Sequence, residues 1–232
     1  MKKKLLFTLV LIALLFISIG CNKKEESRLV GGWKTILTDS KVNLDDETTK
    51  IFNSAKKNYK KMELEPISLL AEQVVAGKNY MFLTVGYKSE NPDNKKYKIV
   101  IVYNDLEGKS SITSVEDFNF TKFTHKNINN ISENLSGGWT VSSPGKLNML
   151  SDEEVQQIFE EENDKLEDIS YNPIAIVGSQ VVSGTNYAVL CFGKPADQEK
   201  PEGVYLITLY DGISKEHEIV SQAYIDLSKY NK

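Results

Sequence analysis

The sequence predicts an α+β protein made of two tandem domains, each packing one helix on a four- to five-stranded antiparallel sheet. Three observations carry that expectation. Two motifs recur in the same order, each copy opens with one helix-periodic apolar stripe, and only strand-like runs follow it.

The repeat sets the frame. Leu29-Val30-Gly31-Gly32-Trp33 recurs as Leu135-Ser136-Gly137-Gly138-Trp139. Gln73-Val74-Val75-Ala76-Gly77-Lys78-Asn79-Tyr80 recurs as Gln180-Val181-Val182-Ser183-Gly184-Thr185-Asn186-Tyr187. The second glycine and the glutamine stand 41 residues apart in the first copy and 42 in the second. Two motifs at matched separation, twice over, mark a duplicated unit. The copies span residues 29–120 and 135–232, a common domain size. Between them Thr121 to Asn134 is polar and rich in asparagine, the composition of a linker.

Within each copy the element order is the same. In the first, Asp45 is placed to cap a helix whose buried face carries Ile51, Phe52, Ala55, Tyr59 and Met62. In the second, Ser151 and Glu154 have capping-box spacing, Leu150 can staple onto Val155, and Val155, Ile158, Phe159 and Leu166 form the stripe. The strands of the first copy are expected at Pro66 to Val75, Tyr80 to Tyr87, Tyr97 to Tyr103 and Ser110 to Phe120. Those of the second are expected at Pro173 to Val182, Tyr187 to Phe192, Val204 to Tyr210 and Glu218 to Leu227, with Asp211-Gly212 as a two-residue hairpin turn. Trp33 and Trp139, opening the first strand of each copy, are expected as core anchors against the helix.

The N-terminal segment has a separate logic. Lys2, Lys3 and Lys4 precede an apolar run, Leu5 to Ile19, that is short for a bilayer span of ~20 residues. Ile17-Ser18-Ile19-Gly20-Cys21 resembles the lipobox of bacterial lipoproteins, with Ser18 in place of the usual leucine. Residues 1–20 therefore read as a signal peptide, Cys21 as the lipidation site and residues 21–28 as a polar tether at the cell envelope. A plain secretory signal with an incidental cysteine is the other reading. Acyl chains on Cys21 would anchor the protein stably, at about 0.8 kcal/mol per buried methylene.

Several function classes are disfavoured. Cys191 is the only cysteine besides Cys21, so no intrachain disulfide framework is expected, and it sits in an apolar run as a core thiol. Residues 29–120 carry 13 lysines against 13 acids, and residues 135–232 carry 7 against 16. So acidic a second half argues against nucleic acid as a partner. Lys56, Lys57, Lys60 and Lys61, like Glu160, Glu161, Glu162 and Asp164, read as solvated faces. His125 and His217 stand apart from any plausible nucleophile. No Ser/His/Asp set, metal-ligand cluster or phosphate loop is visible, so no enzyme, cofactor or metal site is expected.

The duplicated motifs resemble those of the cystatins, inhibitors of papain-like cysteine proteases, over nearly all of the chain after the signal. Members of that family form a wedge from an N-terminal trunk glycine, a Gln-x-Val-x-Gly hairpin and a second hairpin. Both pentapeptides here satisfy the pattern. The resemblance implies tandem cystatin-like domains in a monomeric envelope lipoprotein, acting as a reversible, non-catalytic inhibitor. The implied protease-binding residues are Leu29, Val30, Gly31 and Gly32 in the first trunk, with Gly137 and Gly138 in the second. The first hairpins would contribute Gln73, Val74, Val75, Ala76 and Gly77, and Gln180, Val181, Val182, Ser183 and Gly184. Leu106 and Gly212 represent the second hairpins, both of which lack the Pro-Trp pair of many animal members. A non-inhibitory envelope lipoprotein whose duplicated sheet binds another protein or a surface ligand is the alternative.

Overall fold

The computed structural model describes residues 32–36, 44–124, 138–142 and 152–230. The signal peptide, Cys21, Leu29 to Gly31, His125 and most of the linker, Gly137 and Ser151 lie outside the described residues.

Each repeat is a strand, a helix and a four-stranded meander, closing one five-stranded antiparallel sheet. The first holds β1 (Trp33–Thr35), α1 (Asp46–Lys56), β2 (Glu63–Val75), β3 (Gly77–Lys88), β4 (Asn91–Asn104) and β5 (Ser110–Asp117). The second holds β6 (Thr140–Val141), α2 (Glu153–Asn163), β7 (Ile169–Val182), β8 (Gly184–Pro195), β9 (Gly203–Gly212) and β10 (His217–Tyr224). Strand order follows chain order in both sheets, with the short N-terminal strand at one edge. The strands run several residues beyond the expected ends. After β5 and β10 the chain turns into 3₁₀ helices at Phe120–Lys122 and Leu227–Tyr230 instead of continuing as strand.

The helices follow their sequence signals, with one correction. The Asp45 carboxylate accepts the Thr48 amide at 2.7 Å and caps α1 as expected. At α2 the cap is Asp152, which accepts the Val155 amide at 3.2 Å, one residue later than the expected Ser151. An ionised carboxylate is the better acceptor at the positive end of a helix. Phe52 and Ala55 bury α1 against Leu64, Leu69, Tyr80, Phe82, Val100 and Val102, with Ile51, Tyr59 and Met62 packed beside them. Val155, Ile158 and Phe159 bury α2 against Ile176, Val189, Cys191, Ile207 and Leu209.

The repeat extends to irregularities that no motif search reveals. In β2 the register slips between Pro66 and Ser68 and between Leu69 and Ala71, and β7 slips between Pro173 and Ala175 and between Ile176 and Gly178. These are the same positions in the two copies, offset like Gln73 and Gln180. A third slip, at Ile101/Val102 against β5, recurs at Ile219/Ser221 against β9. Bulges raise local twist and bend a strand, so each sheet can coil around its helix. Both prolines sit beside a bulge, where a missing N–H disturbs the ladder least.

A third core lies between the sheets. Met81, Leu83, Tyr97, Ile99 and Ile101 of the first sheet form one apolar cluster with Ala175, Val177, Ala188, Leu190, Phe192, Val204 and Leu206 of the second. The alternate residues on the same strands, such as Phe82 and Val100, face the helix. The layers are therefore helix, sheet, sheet, helix, and each sheet is buried on both faces. Trp33 and Trp139 pack into the cluster between the sheets, which corrects their expected place against the helices. Phe120, at the end of the first repeat, belongs to the same cluster, and Phe123 at the start of the expected linker packs on it.

Candidate functional site: the two hairpin edges

In each repeat the β2–β3 or β7–β8 hairpin stands beside the β4–β5 or β9–β10 turn, and the N-terminal strand enters at the same end. Lys78 pairs with Asn104, so the apex of the first hairpin adjoins the turn that presents Leu106. Gly184 pairs with Gly212, so the second apex adjoins the turn that presents Ile213. Trp33 pairs with Gln73, and the exposed Gly32 continues from there along the hairpin. Thr140 pairs with Ser179, which brings exposed Gly138 to the equivalent place.

The glycines of the pentapeptides have a demonstrable cause. Ala76 alone separates the paired Val75 and Gly77, and Gly77 takes φ +117°. A Cβ there would lie 2.5 Å from the Asn104 carbonyl oxygen. Gly184, at φ +122°, meets the backbone of Asp211 in the same way. Positive φ and the close neighbouring strand both demand glycine. Each apex is also pinned from the side. The Tyr103 hydroxyl donates to the Ala76 carbonyl and the Tyr210 hydroxyl to the Ser183 carbonyl.

The glutamines are structural neighbours of that turn. Gln73 pairs with Asn79 across the hairpin, and its side-chain oxygen accepts the Asn79 amide at 2.7 Å. Gln180 does the same with Asn186 at 3.0 Å. Gln73 is only 7 % exposed. The recurrence of Gln and Asn six residues apart is therefore explained within the hairpin itself, as a cross-strand hydrogen-bonded pair.

What the edges present is apolar. Of eight large apolar side chains that stand exposed among the described residues, five lie at these tips. They are Val74 (55 %), Val75, Leu106 (84 %), Val181 (72 %) and Ile213 (81 %). Val182 is half-buried, Ala76 and Ser183 are exposed, and Gly77 is half-buried. Gly212 is buried as the last residue of β9, so the turn spans residues 213–216, which displaces the expected Asp211-Gly212 turn. The exposed Glu216 side chain folds over Gly212. The residue presented there is Ile213, and its aliphatic character between Gly212 and Ser214 was the available signal.

Charge at the first edge is fixed locally. Lys78 donates to Glu72 at 3.0 Å, and that hydrogen bond holds the ammonium pKa above its ordinary value. At the second edge His217 Nδ1 lies 3.2 Å from an Asp211 carboxylate oxygen. Cys191 is fully buried between α2 and its sheet, and burial pushes the thiol pKa up, so it is no nucleophile. Among the described residues no cluster of His, Cys, Asp or Glu could hold a metal ion, and no helix is long and apolar enough to cross a membrane.

Compared with known proteins, the chain matches no family model and no curated protein.

Proposed function

We propose that the protein is a non-catalytic inhibitor of papain-like cysteine proteases, built from two cystatin-like repeats and held at the cell envelope through lipid on Cys21. One observation carries the reading. Among the described residues, Val74, Val75 and Leu106, the exposed large apolar side chains of the first repeat, and the most exposed pair of the second, Val181 and Ile213, stand where two hairpins and the N-terminal strand meet at one edge. A protease cleft admits only a thin tip, and Ala76-Gly77 and Ser183-Gly184 make the apices small. Val74 and Leu106, or Val181 and Ile213, supply stiff apolar contacts that lose little entropy on binding. The strand order, with the helix between the first and second strands, is the arrangement the resemblance implies.

One observation favours the alternative of a non-inhibitory binding module. Gly77, Gly184 and the Gln–Asn pairs all have reasons inside the hairpin, so the motif by itself does not require a protease. Inhibition of papain by the mature chain carrying Cys21→Ser separates the two. Tight, reversible inhibition supports the inhibitor, and full papain activity at saturating protein leaves the binding module.

A further inference from the structure

The two hairpin edges face opposite ways, and we propose that each takes its own protease molecule, so that one chain holds two at once. This rests on the inhibitor reading above and adds its stoichiometry and geometry.

The contacts between the repeats fix the direction. Phe120 follows β5 at the end remote from the Leu106 turn, yet its ring packs edge-on against Trp139 at 5.7 Å and lies against Gly178. Trp139 and Gly178 are both close to the Gln180–Gly184 hairpin. Reciprocally, Thr35 pairs with Ala71 near the first hairpin, and a Cβ on Gly203 would lie 3.6 Å from its hydroxyl. Gly203 opens β9 at the end remote from Ile213. In the middle, the Tyr97 hydroxyl donates to the Ile176 carbonyl at 3.1 Å. The tip end of each sheet thus lies over the remote end of the other, and the sheets stack head to tail.

The spacing leaves room for two occupants. Thr35 pairs with Ala71, four residues from Val75, and Gly203 stands nine residues from Gly212, so the two tips are about thirteen strand residues apart, about 43 Å at ~3.3 Å per residue. A compact partner of about 220 residues has a radius of gyration near 17 Å and a diameter of roughly 44 Å. Two such partners docked on opposite ends would have centres about 87 Å apart and would not touch. The tips offer the same chemistry, with Val74 and Leu106 at one and Val181 and Ile213 at the other, so they suit the same class of cleft.

The test is a titration of the mature chain carrying Cys21→Ser with papain, followed by native mass spectrometry and sedimentation. The expected plateau is two papain molecules per chain. V74D/V75D and V181D/I213D should each lower it to one, with circular dichroism unchanged. A plateau of one for the parent protein, while each variant still binds one, means that the edges exclude each other; that overturns the inference and leaves the inhibitor reading standing. A folded protein that binds no papain at all overturns both.

Discussion

Tyr97 and Ile176 join the two repeats through a hydrogen bond that crosses the sheet interface, phenol hydroxyl to backbone carbonyl, at 3.1 Å. Both residues are fully or nearly fully buried, and Ile176 borders one of the β7 bulges. Burial drives the phenol pKa far upward, so the hydroxyl keeps its proton and remains a donor. Tyr97→Phe should cost about 1–3 kcal/mol, because the acceptor stays buried without its partner. Since the cores of both repeats meet at this interface, calorimetry of the parent protein should show one transition, with calorimetric and van't Hoff enthalpies equal. Two separated transitions would show that the repeats unfold independently.

A second test concerns the fit of the repeats. A Cβ on Gly178 would enter the ring of Phe120. The equivalent positions in the other half are Ala71 and Leu227, a larger residue in place of glycine and a smaller one in place of phenylalanine, both in the same apolar cluster. Gly178→Ala should therefore destabilise by roughly 1–3 kcal/mol. Adding Phe120→Leu, which recreates the other combination, should recover part of that loss. A double-mutant cycle by urea denaturation that shows simple additivity would refute this coupling.

The hairpins should separate fold from binding. Gly77→Ala and Gly184→Ala must each bear the strain of positive φ, roughly 1–2 kcal/mol, before any clash with the adjoining strand. Val181→Asp exposes nothing new and should change stability by less than about 0.5 kcal/mol. Its effect should appear in papain inhibition by the second edge. If Val181→Asp lowers the midpoint of unfolding as much as Gly184→Ala, the side chain is packed and not presented.

The cap of α1 gives a pH dependence with a definite sign. Hydrogen bonds from the Thr48 amide, and then from its hydroxyl, hold the Asp45 carboxyl below its ordinary pKa. The folded state thus binds the proton less readily than the unfolded chain. The stabilisation is complete above the unfolded pKa of about 3.9 and is lost as pH falls through the lower folded value. Asp45→Ala should cost about 0.5–2 kcal/mol at neutral pH. The difference from the parent should shrink as unfolding is followed below pH 4; a gap that stays constant would contradict the carboxylate cap.

For the anchor, Cys21→Ala should move the protein from the membrane fraction to the soluble fraction, or leave an uncleaved precursor. Fractionation of cells with immunoblotting reads both. A normally processed variant that stays with the membranes would end the lipoprotein proposal.

The sequence alone determined what depends on neighbours in the chain. The duplicated motifs, the helix stripes around Phe52 and Phe159, the Asp45 cap and the hairpin glycines follow from periodicity, capping and local turn chemistry. Those constraints act within one element or one hairpin. The tertiary structure decided where the outer face of each sheet went. Met81 to Val85 and Ala188 to Phe192 are almost unbroken apolar runs, the pattern of strands buried on both sides, whereas a sheet with one wet face would alternate. That pattern says a second layer is needed without saying which one. The choice of the other repeat, stacked head to tail with Trp33 and Trp139 drawn into the interface, rests on fits between residues distant in the chain. The Phe120 ring on Gly178 and the Tyr97 hydroxyl on Ile176 are such fits. Shape complementarity of that kind is a property of two packed surfaces, and no stretch of either repeat encodes it alone.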